Sequence, residues 1–266
     1  MRRSRAVSLV LSLAAATGAV LIGAAPAQAA AGDRYVALGD SYSSGVGTGS
    51  YTASSGSCMR STLAYSALWA AANSPTSYTS VACSGATTTT VLNSQVSALS
   101  ASTTLVSVTA GGNDVGFSNV MSTCALQGTD ACVAAVQAGE NTATNTLPGL
   151  LDTLYNAIRS HAPSARVVVL DYPVFYQLGN VCIGLSDTSH AKIDEGINLL
   201  DGVLSAAASR HGFRFADVRS IFVGHQLCSG DKWLHALDFL DLTESYHPTA
   251  NGQSLGYLPV FTTVAG

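Results

Sequence analysis

Residues 34–45 read RYVALGDSYSSG, an apolar run of strand length that ends in Gly39 and delivers Asp40 and Ser41 into a Gly/Ser-rich turn. Similar runs recur along the chain at 77–82, which is weaker, at 104–109, at 166–170 and at 213–218. The third is followed by Gly111-Gly112, and the fourth, RVVVL, stops at Asp171-Tyr172-Pro173. Short apolar runs bounded by turn residues predict buried strands. Helical patterns lie between them. Residues 62–72 are Ala-rich and carry Trp69; residues 147–161 place Leu150, Leu151, Leu154 and Ile158 on one face. Residues 193–211 repeat that spacing with Ile197, Leu200 and Leu204 and end at Gly212, as a helix C-terminus would. Strands alternating with helices predict βαβ units and a parallel sheet covered on both faces. Ligands of such sheets sit beyond the carboxyl ends of the strands, so the residues just after each strand are where chemistry is sought.

The bulk composition narrows the classes of function. The chain has 266 residues, 47% of them hydrophobic and only 11% charged. That charge content is far below the ~25% usual for globular domains, which argues against a disordered chain and against a basic nucleic-acid footprint. Part of the apolar excess sits at the N-terminus. Arg2, Arg3 and Arg5 precede an uncharged apolar stretch that closes with Pro26 and Ala27-Gln28-Ala29. This order predicts a secretory signal peptide over residues 1–29, with an uncleaved membrane anchor as the alternative. Residues 30–266 read as one domain, with no internal repeat or long linker. Of the 12 Lys and Arg, three fall in the signal, leaving 9 against 16 acidic residues and a net charge near −7 for the exported form. The protein is expected to be extracellular and monomeric, with no nucleic-acid partner.

Six cysteines, Cys58, Cys83, Cys124, Cys132, Cys182 and Cys228, lie beyond the signal. An even count in an exported chain predicts disulfides, and six cysteines allow 15 pairings. Their spacing suggests neighbours in sequence. No Cys-x-x-Cys pair or histidine cluster at ligand spacing supports a metal site, and no cofactor is expected.

Ser41, presented after a strand and between glycines, is sterically open and close to backbone N–H groups. Taken alone, the same residues could be a turn in which Asp40 caps a helix. The pattern lacks the G-x-S-x-G of a nucleophile elbow. Gly111-Gly112-Asn113-Asp114 follows another strand and could aim the Asn113 amide into the same crevice, or form an Asx turn. Cys83-Ser84-Gly85-Ala86 follows a third strand and offers the Gly85 N–H. Donors converging from three strand ends are what a tetrahedral oxyanion requires. Chemistry near neutral pH calls for a histidine base. His161 and His211 sit at helix ends, while His190, His225 and His235 have no motif around them. His247 lies in Ser245-Tyr246-His247-Pro248, just before what reads as the final helix.

Together these blocks resemble the SGNH hydrolase superfamily, also called the GDSL lipases and esterases. Gly39-Asp40-Ser41, Gly85, Gly112-Asn113-Asp114 and His247 match its motifs in order and span most of the chain beyond the signal. GDSYSSG at 39–45, ACSGA at 82–86, GGND at 111–114, HQLCSG at 225–230 and SYHPTANG at 245–252 are similar to its secreted actinobacterial lipase and phospholipase A1 subgroup. The resemblance implies a flavodoxin-like, three-layer α/β/α fold with a central five-stranded parallel sheet, and three disulfides between neighbouring cysteines. It implies an ester hydrolase with Ser41 as nucleophile and His247 as base. The N–H groups of Ser41 and Gly85 and the Asn113 side chain would form the oxyanion hole.

The group that orients His247 is open. Many members place an aspartate three residues before the histidine, where this chain has Glu244; in the subgroup the resemblance points to a backbone carbonyl, here that of Ser245. The carbonyl is favoured, because it is always present whereas the longer Glu side chain must reach. With an ordinary histidine pKa, activity should fall below roughly pH 6.5. The implied substrates are acylglycerols, phospholipids and simple esters, with transient contact at lipid interfaces. A carbohydrate acetylesterase using the same residues is the alternative. Phe117, Phe175, Tyr176 and Leu178 are candidates to line an acyl groove, although ordinary core packing is the commoner role for any one of them. No long insertion reads as a lid.

Overall fold

The computed structural model describes residues 32–266; the expected signal peptide, 1–29, lies outside the described residues. Five strands, β1 (Arg34–Gly39), β2 (Ser77–Ser80), β3 (Leu105–Thr109), β4 (Arg166–Leu170) and β5 (Arg214–Ala216), form one parallel sheet in the order β2-β1-β3-β4-β5. This is the flavodoxin-like order, with the SGNH hydrolase fold expected from the sequence. The central strands are apolar and buried because helices cover both faces. Edge strand β2, SYTS, alternates exposed and half-buried residues and stops short of the expected 82. Strand β5 is trimmed to three residues at the other edge.

Eight α-helices accompany the sheet among the described residues: α1 (Ser41–Ser44), α2 (Tyr65–Asn73), α3 (Thr88–Ser94), α4 (Phe117–Gln127), α5 (Thr129–Asn145), α6 (Leu147–His161), α7 (Asp187–Arg210) and α8 (Leu258–Ala265). Helices α2 and α8 pack together on one face, where Tyr35 from β1 meets Trp69 and Phe261 at ring-centroid distances of 5.3 and 5.5 Å. Each such buried side chain contributes about 1.5–3 kcal/mol. Helices α3, α6 and α7 are linked by mutual contacts in the second layer, and α4 and α5 extend it.

The periodicity of residues 147–161 predicted α6 to the residue. Helix α7 begins at Asp187, ahead of the expected 193, because the Ser186 side chain accepts from the Ser189 N–H and caps an earlier turn. Helices α3, α4 and α5 were not expected from the pattern. The cysteines pair as Cys58–Cys83, Cys124–Cys132 and Cys182–Cys228. The second staples the end of α4 to the start of α5. Among the described residues no helix is long and apolar enough to cross a membrane.

The chain runs from β1 to β2 on one side and then to β3 on the other. The sheet therefore splits at the carboxyl ends of β1 and β3, which is where crevices open in this architecture.

Candidate active site

The site is assembled from the turns that leave β1, β2 and β3 and from the loop before the C-terminal helices. Gly39 ends β1 at φ 125°, and a Cβ there would stand 2.4 Å from the Thr109 carbonyl oxygen, so only glycine lets β1 and β3 run this close. Asp40 then accepts from the Tyr42 N–H at 3.0 Å and caps α1, leaving Ser41 as the first residue of a single helical turn. The capping reading and the presented-serine reading of this turn therefore hold together.

A second contact shapes Asp40. Its Oδ2 accepts from the Tyr172 hydroxyl at 2.5 Å, and that hydroxyl accepts from the Gly112 N–H at 3.0 Å. Burial raises the Asp40 carboxyl to about 7, with the Tyr172 and Tyr42 hydrogen bonds pulling the other way.

His247 is held by its own loop. The His235 N–H donates to the His247 carbonyl at 2.9 Å, and the Tyr246 N–H donates to that of His235 at 2.9 Å. Tyr246 adopts φ 66°, a conformation that non-glycine residues rarely adopt, and the Tyr42 hydroxyl fixes its carbonyl at 2.8 Å. The imidazole places Nε2 2.7 Å from Ser41 Oγ and Nδ1 3.1 Å from the Ser245 carbonyl oxygen. A carbonyl can only accept, so Nδ1 carries the proton and Nε2 turns its lone pair to the serine hydroxyl. Burial lowers the His247 pKa to about 4, although the carbonyls of Ser245, Glu244 and Thr243 favour the charged form. The ordinary histidine value assumed from the sequence is corrected by that burial. Glu244 faces elsewhere: its Oε1 accepts from the Tyr51 hydroxyl at 2.5 Å.

Asn113 donates from Nδ2 to the Ala86 carbonyl at 3.0 Å, tying the turn after β3 to the turn after β2. Asp114 adds a second tie, accepting from the Thr88 N–H at 2.9 Å and the Thr88 hydroxyl at 2.6 Å at the start of α3. Gly85 sits at φ 77° in the β2 turn. The N–H groups of Ser41 and Gly85 find no acceptor among the described residues. A nucleophilic hydroxyl, a neutral base aligned on it and convergent N–H donors can together form and stabilise a tetrahedral oxyanion.

Two cavities meet here. An open groove of about 420 Å³ is bordered by Ser41, Gly85, Asn113 and His247, with Phe239 and Leu242 in its wall. A narrower slot of about 80 Å³ shares Ser41 and Asn113 but not His247. Phe117 lines both and Phe175 lines the slot. Tyr176 instead stacks on buried His190 at 4.1 Å, and Leu178 is exposed away from either cavity.

The other histidines have partners of their own. His211 meets Asp152 at 2.9 Å, His225 stacks on Trp233 at 3.6 Å, and His235 Nε2 donates to the Gly47 carbonyl at 2.6 Å. His161 ends α6. The Tyr172 bridge, the Thr88–Asp114 tie and Tyr51 were missed in the sequence. Of these only Asp114 sat in a recognisable motif.

The sequence profile of the GDSL-like lipase/acylhydrolase family matches residues 37–255. The chain is 54% identical to Lipase 1 of Streptomyces coelicolor over 268 aligned residues, covering 100% of both chains. It is 50% identical to a lipase of Streptomyces rimosus, covering 99% of each. Its structure is similar to the crystal structure of phospholipase A1 from Streptomyces albidoflavus, with a TM-score of 0.87, 53% identity, and 89% of this chain and 100% of that one covered. The chain belongs to the GDSL-like lipase/acylhydrolase family.

Proposed function

We propose that this protein is an extracellular serine esterase that hydrolyses carboxylic esters of lipids through an acyl-enzyme on Ser41. The observation that carries the reading is the pair of contacts made by His247, Nε2 to Ser41 Oγ at 2.7 Å and Nδ1 to the Ser245 carbonyl at 3.1 Å. His247 takes the Ser41 proton as Oγ attacks the ester carbonyl carbon, then gives it to the leaving alcohol oxygen as the tetrahedral intermediate collapses. A water, deprotonated by the same imidazole, attacks the acyl-enzyme. The acid leaves with the new C–O bond, and Ser41 regains its proton. The Ser41 and Gly85 N–H groups and the Asn113 amide hold the oxyanion in both steps. The Ser245 carbonyl fixes the imidazole tautomer and steadies the imidazolium, so the pair acts as a dyad.

Acylglycerols are the proposed substrates, and the likeness to a phospholipase A1 extends the proposal to phospholipids at the sn-1 position. The apolar wall supplied by Phe239 and Leu242 supports a lipid over the acetylated glycan of the alternative reading. Residues 1–29 are proposed to direct export, and residues 30–266 to act as one monomeric domain that touches lipid interfaces transiently. The test is Ser41→Ala together with labelling by a fluorophosphonate. The wild type should be labelled at Ser41 and hydrolyse short and medium esters, and the variant should do neither. Ester hydrolysis that survives Ser41→Ala would overturn the assignment.

A further inference from the structure

The two cavities that meet at Ser41 differ in one respect that matters for acyl transfer: the open groove contains His247 and the slot does not. His247 must return its proton to the alcohol oxygen, so the leaving group stands on the imidazole side of the reacting carbon. The acyl chain is bonded to that same carbon and has to leave it in another direction. The slot, which opens at Ser41 and Asn113, offers that direction.

Its walls are two matching helical stripes. Helix α5 contributes Val136, Gly139, Glu140 and Ala143; helix α7 contributes Ile193, Gly196, Ile197 and Leu200. Both sets follow the i, i+3, i+4, i+7 spacing of one helix face. Seven residues of rise make each stripe about 10 Å long, comparable to an extended medium-length acyl chain. Two glycines let the walls of the slot approach closely. A Cβ on Gly196 would lie 2.8 Å from Val136 Cγ1, and one on Gly139 would lie 3.2 Å from the Val115 carbonyl oxygen. Ala143 is fully buried. The charges at the slot are already satisfied. Glu140 accepts from Lys192 Nζ at 2.8 and 2.9 Å, and Asp40 is bonded to Tyr172 and Tyr42.

We propose, resting on the ester-hydrolase reading above, that the slot between α5 and α7 takes the acyl chain and the open groove takes the alcohol, with Ala143 and Ile197 setting the acyl length accepted. Apolar walls suit a chain of methylenes, each of which gains when it leaves water. The wide groove beside His247 suits the bulkier glycerol part of a lipid.

Two ester series separate the cavities. In one, the acyl group runs from acetate through butyrate and octanoate to palmitate on a fixed p-nitrophenyl alcohol. In the other, acetate is fixed and the alcohol is lengthened. Ala143→Leu should lower the octanoate-to-acetate ratio of kcat/KM at least ten-fold and leave the alcohol preference where it was. Ile197→Ala, which only removes atoms and so folds more readily, should shift the acyl optimum toward longer chains. Leu242→Ala in the groove should change the alcohol series alone. The partition is overturned if Ile197→Ala or a folded Ala143→Leu shifts the alcohol series, or if neither alters the acyl profile. A wild type that cleaves no ester in either series and resists fluorophosphonate would instead sink the underlying esterase reading.

Discussion

The Tyr51 hydroxyl donates to Glu244 Oε1 at 2.5 Å while accepting from the Gly47 N–H at 2.9 Å. One hydroxyl thus holds the carboxylate nearest the His247 motif against the loop that follows α1. His247 Nδ1 is left to the Ser245 carbonyl at 3.1 Å. A carbonyl supplies tautomer control and a dipole, whereas a carboxylate would add a full charge beside the imidazolium. The geometry favours the weaker orienter, and burial of the ring makes the imidazole a weaker base as well.

Glu244→Gln should therefore keep kcat within about ten-fold of the wild type, where losing a true triad carboxylate costs about 10⁴. Steady-state kinetics on a short, soluble ester decide it, and a loss of several orders would make Glu244 the acid of a triad. Tyr51→Phe should lower thermal stability by about 1 kcal/mol, since its bond to a half-buried carboxylate is lost.

The His247 pKa, lowered to about 4 by burial, sets the acid limb of the pH profile. As the proposed base, His247 acts when neutral, so kcat/KM should hold down to about pH 5 and fall near pH 4, well below the ordinary value of about 6.5. Stability follows the same group. Between about pH 4 and 6.5 the unfolded chain binds a proton that the native ring refuses, so this contribution is complete above 6.5 and is lost as pH falls through that window. A rate limb centred near pH 6.5, with the fold intact, would contradict the burial argument.

The fold is most legible in the sequence where a side-chain pattern repeats. Strands β1 and β4 are continuous apolar runs, and α6 carries a full amphipathic stripe, so their bounds are legible from residues 34–39, 166–170 and 147–161. Helix α5 is the opposite case. Its sequence, TDACVAAVQAGENTATN, has small residues where a core helix would carry large ones: Gly139 lies against the Val115 carbonyl and Ala143 lines the slot, so neither adds to an apolar stripe. Ser41, Gly85, Asn113 and His247 were findable because each sits in a short motif beside a strand end or a loop. Tyr172 bridges residues 132 and 60 positions away, and no local pattern encodes such a contact.

Asp171 and Asp201 form a buried acidic pair behind the site. Burial raises both carboxyls, and each carries an Oδ2 without a hydrogen bond. Arg219 Nε stands 3.6 and 3.7 Å from them, but its guanidinium is hydrogen-bonded to Asp217 at 2.9 and 2.6 Å. A carboxyl with a raised native pKa holds protons that the unfolded chain releases. Its contribution is complete below about pH 4 and is lost as pH rises through neutral into the alkaline range. Asp201→Asn keeps the acceptor used by the Tyr172 N–H and removes the charge. The variant's melting temperature should gain on the wild type steadily from about pH 5 to about pH 9. A constant difference across that range would show that the pair does not titrate as described.

Tyr172 connects the two turns that carry Ser41 and Asn113, through Asp40 at 2.5 Å and Gly112 at 3.0 Å. It reaches them from the segment after β4, so it is a positioning residue. Tyr172→Phe leaves the buried Gly112 N–H without an acceptor and takes a donor from Asp40, whose pKa should rise further above about 7. The stability loss should be about 1–3 kcal/mol. In turnover, Asn113→Ala deletes the proposed oxyanion donor and should cost about 10²–10³ in kcat. Tyr172→Phe only displaces that donor, so its loss should be smaller, about 10-fold, with KM little changed. The double variant should be less than multiplicative, since Tyr172 acts on the reaction through Asn113. Full multiplicativity, or a rise in KM at constant kcat, would assign Tyr172 to substrate binding or to simple packing instead.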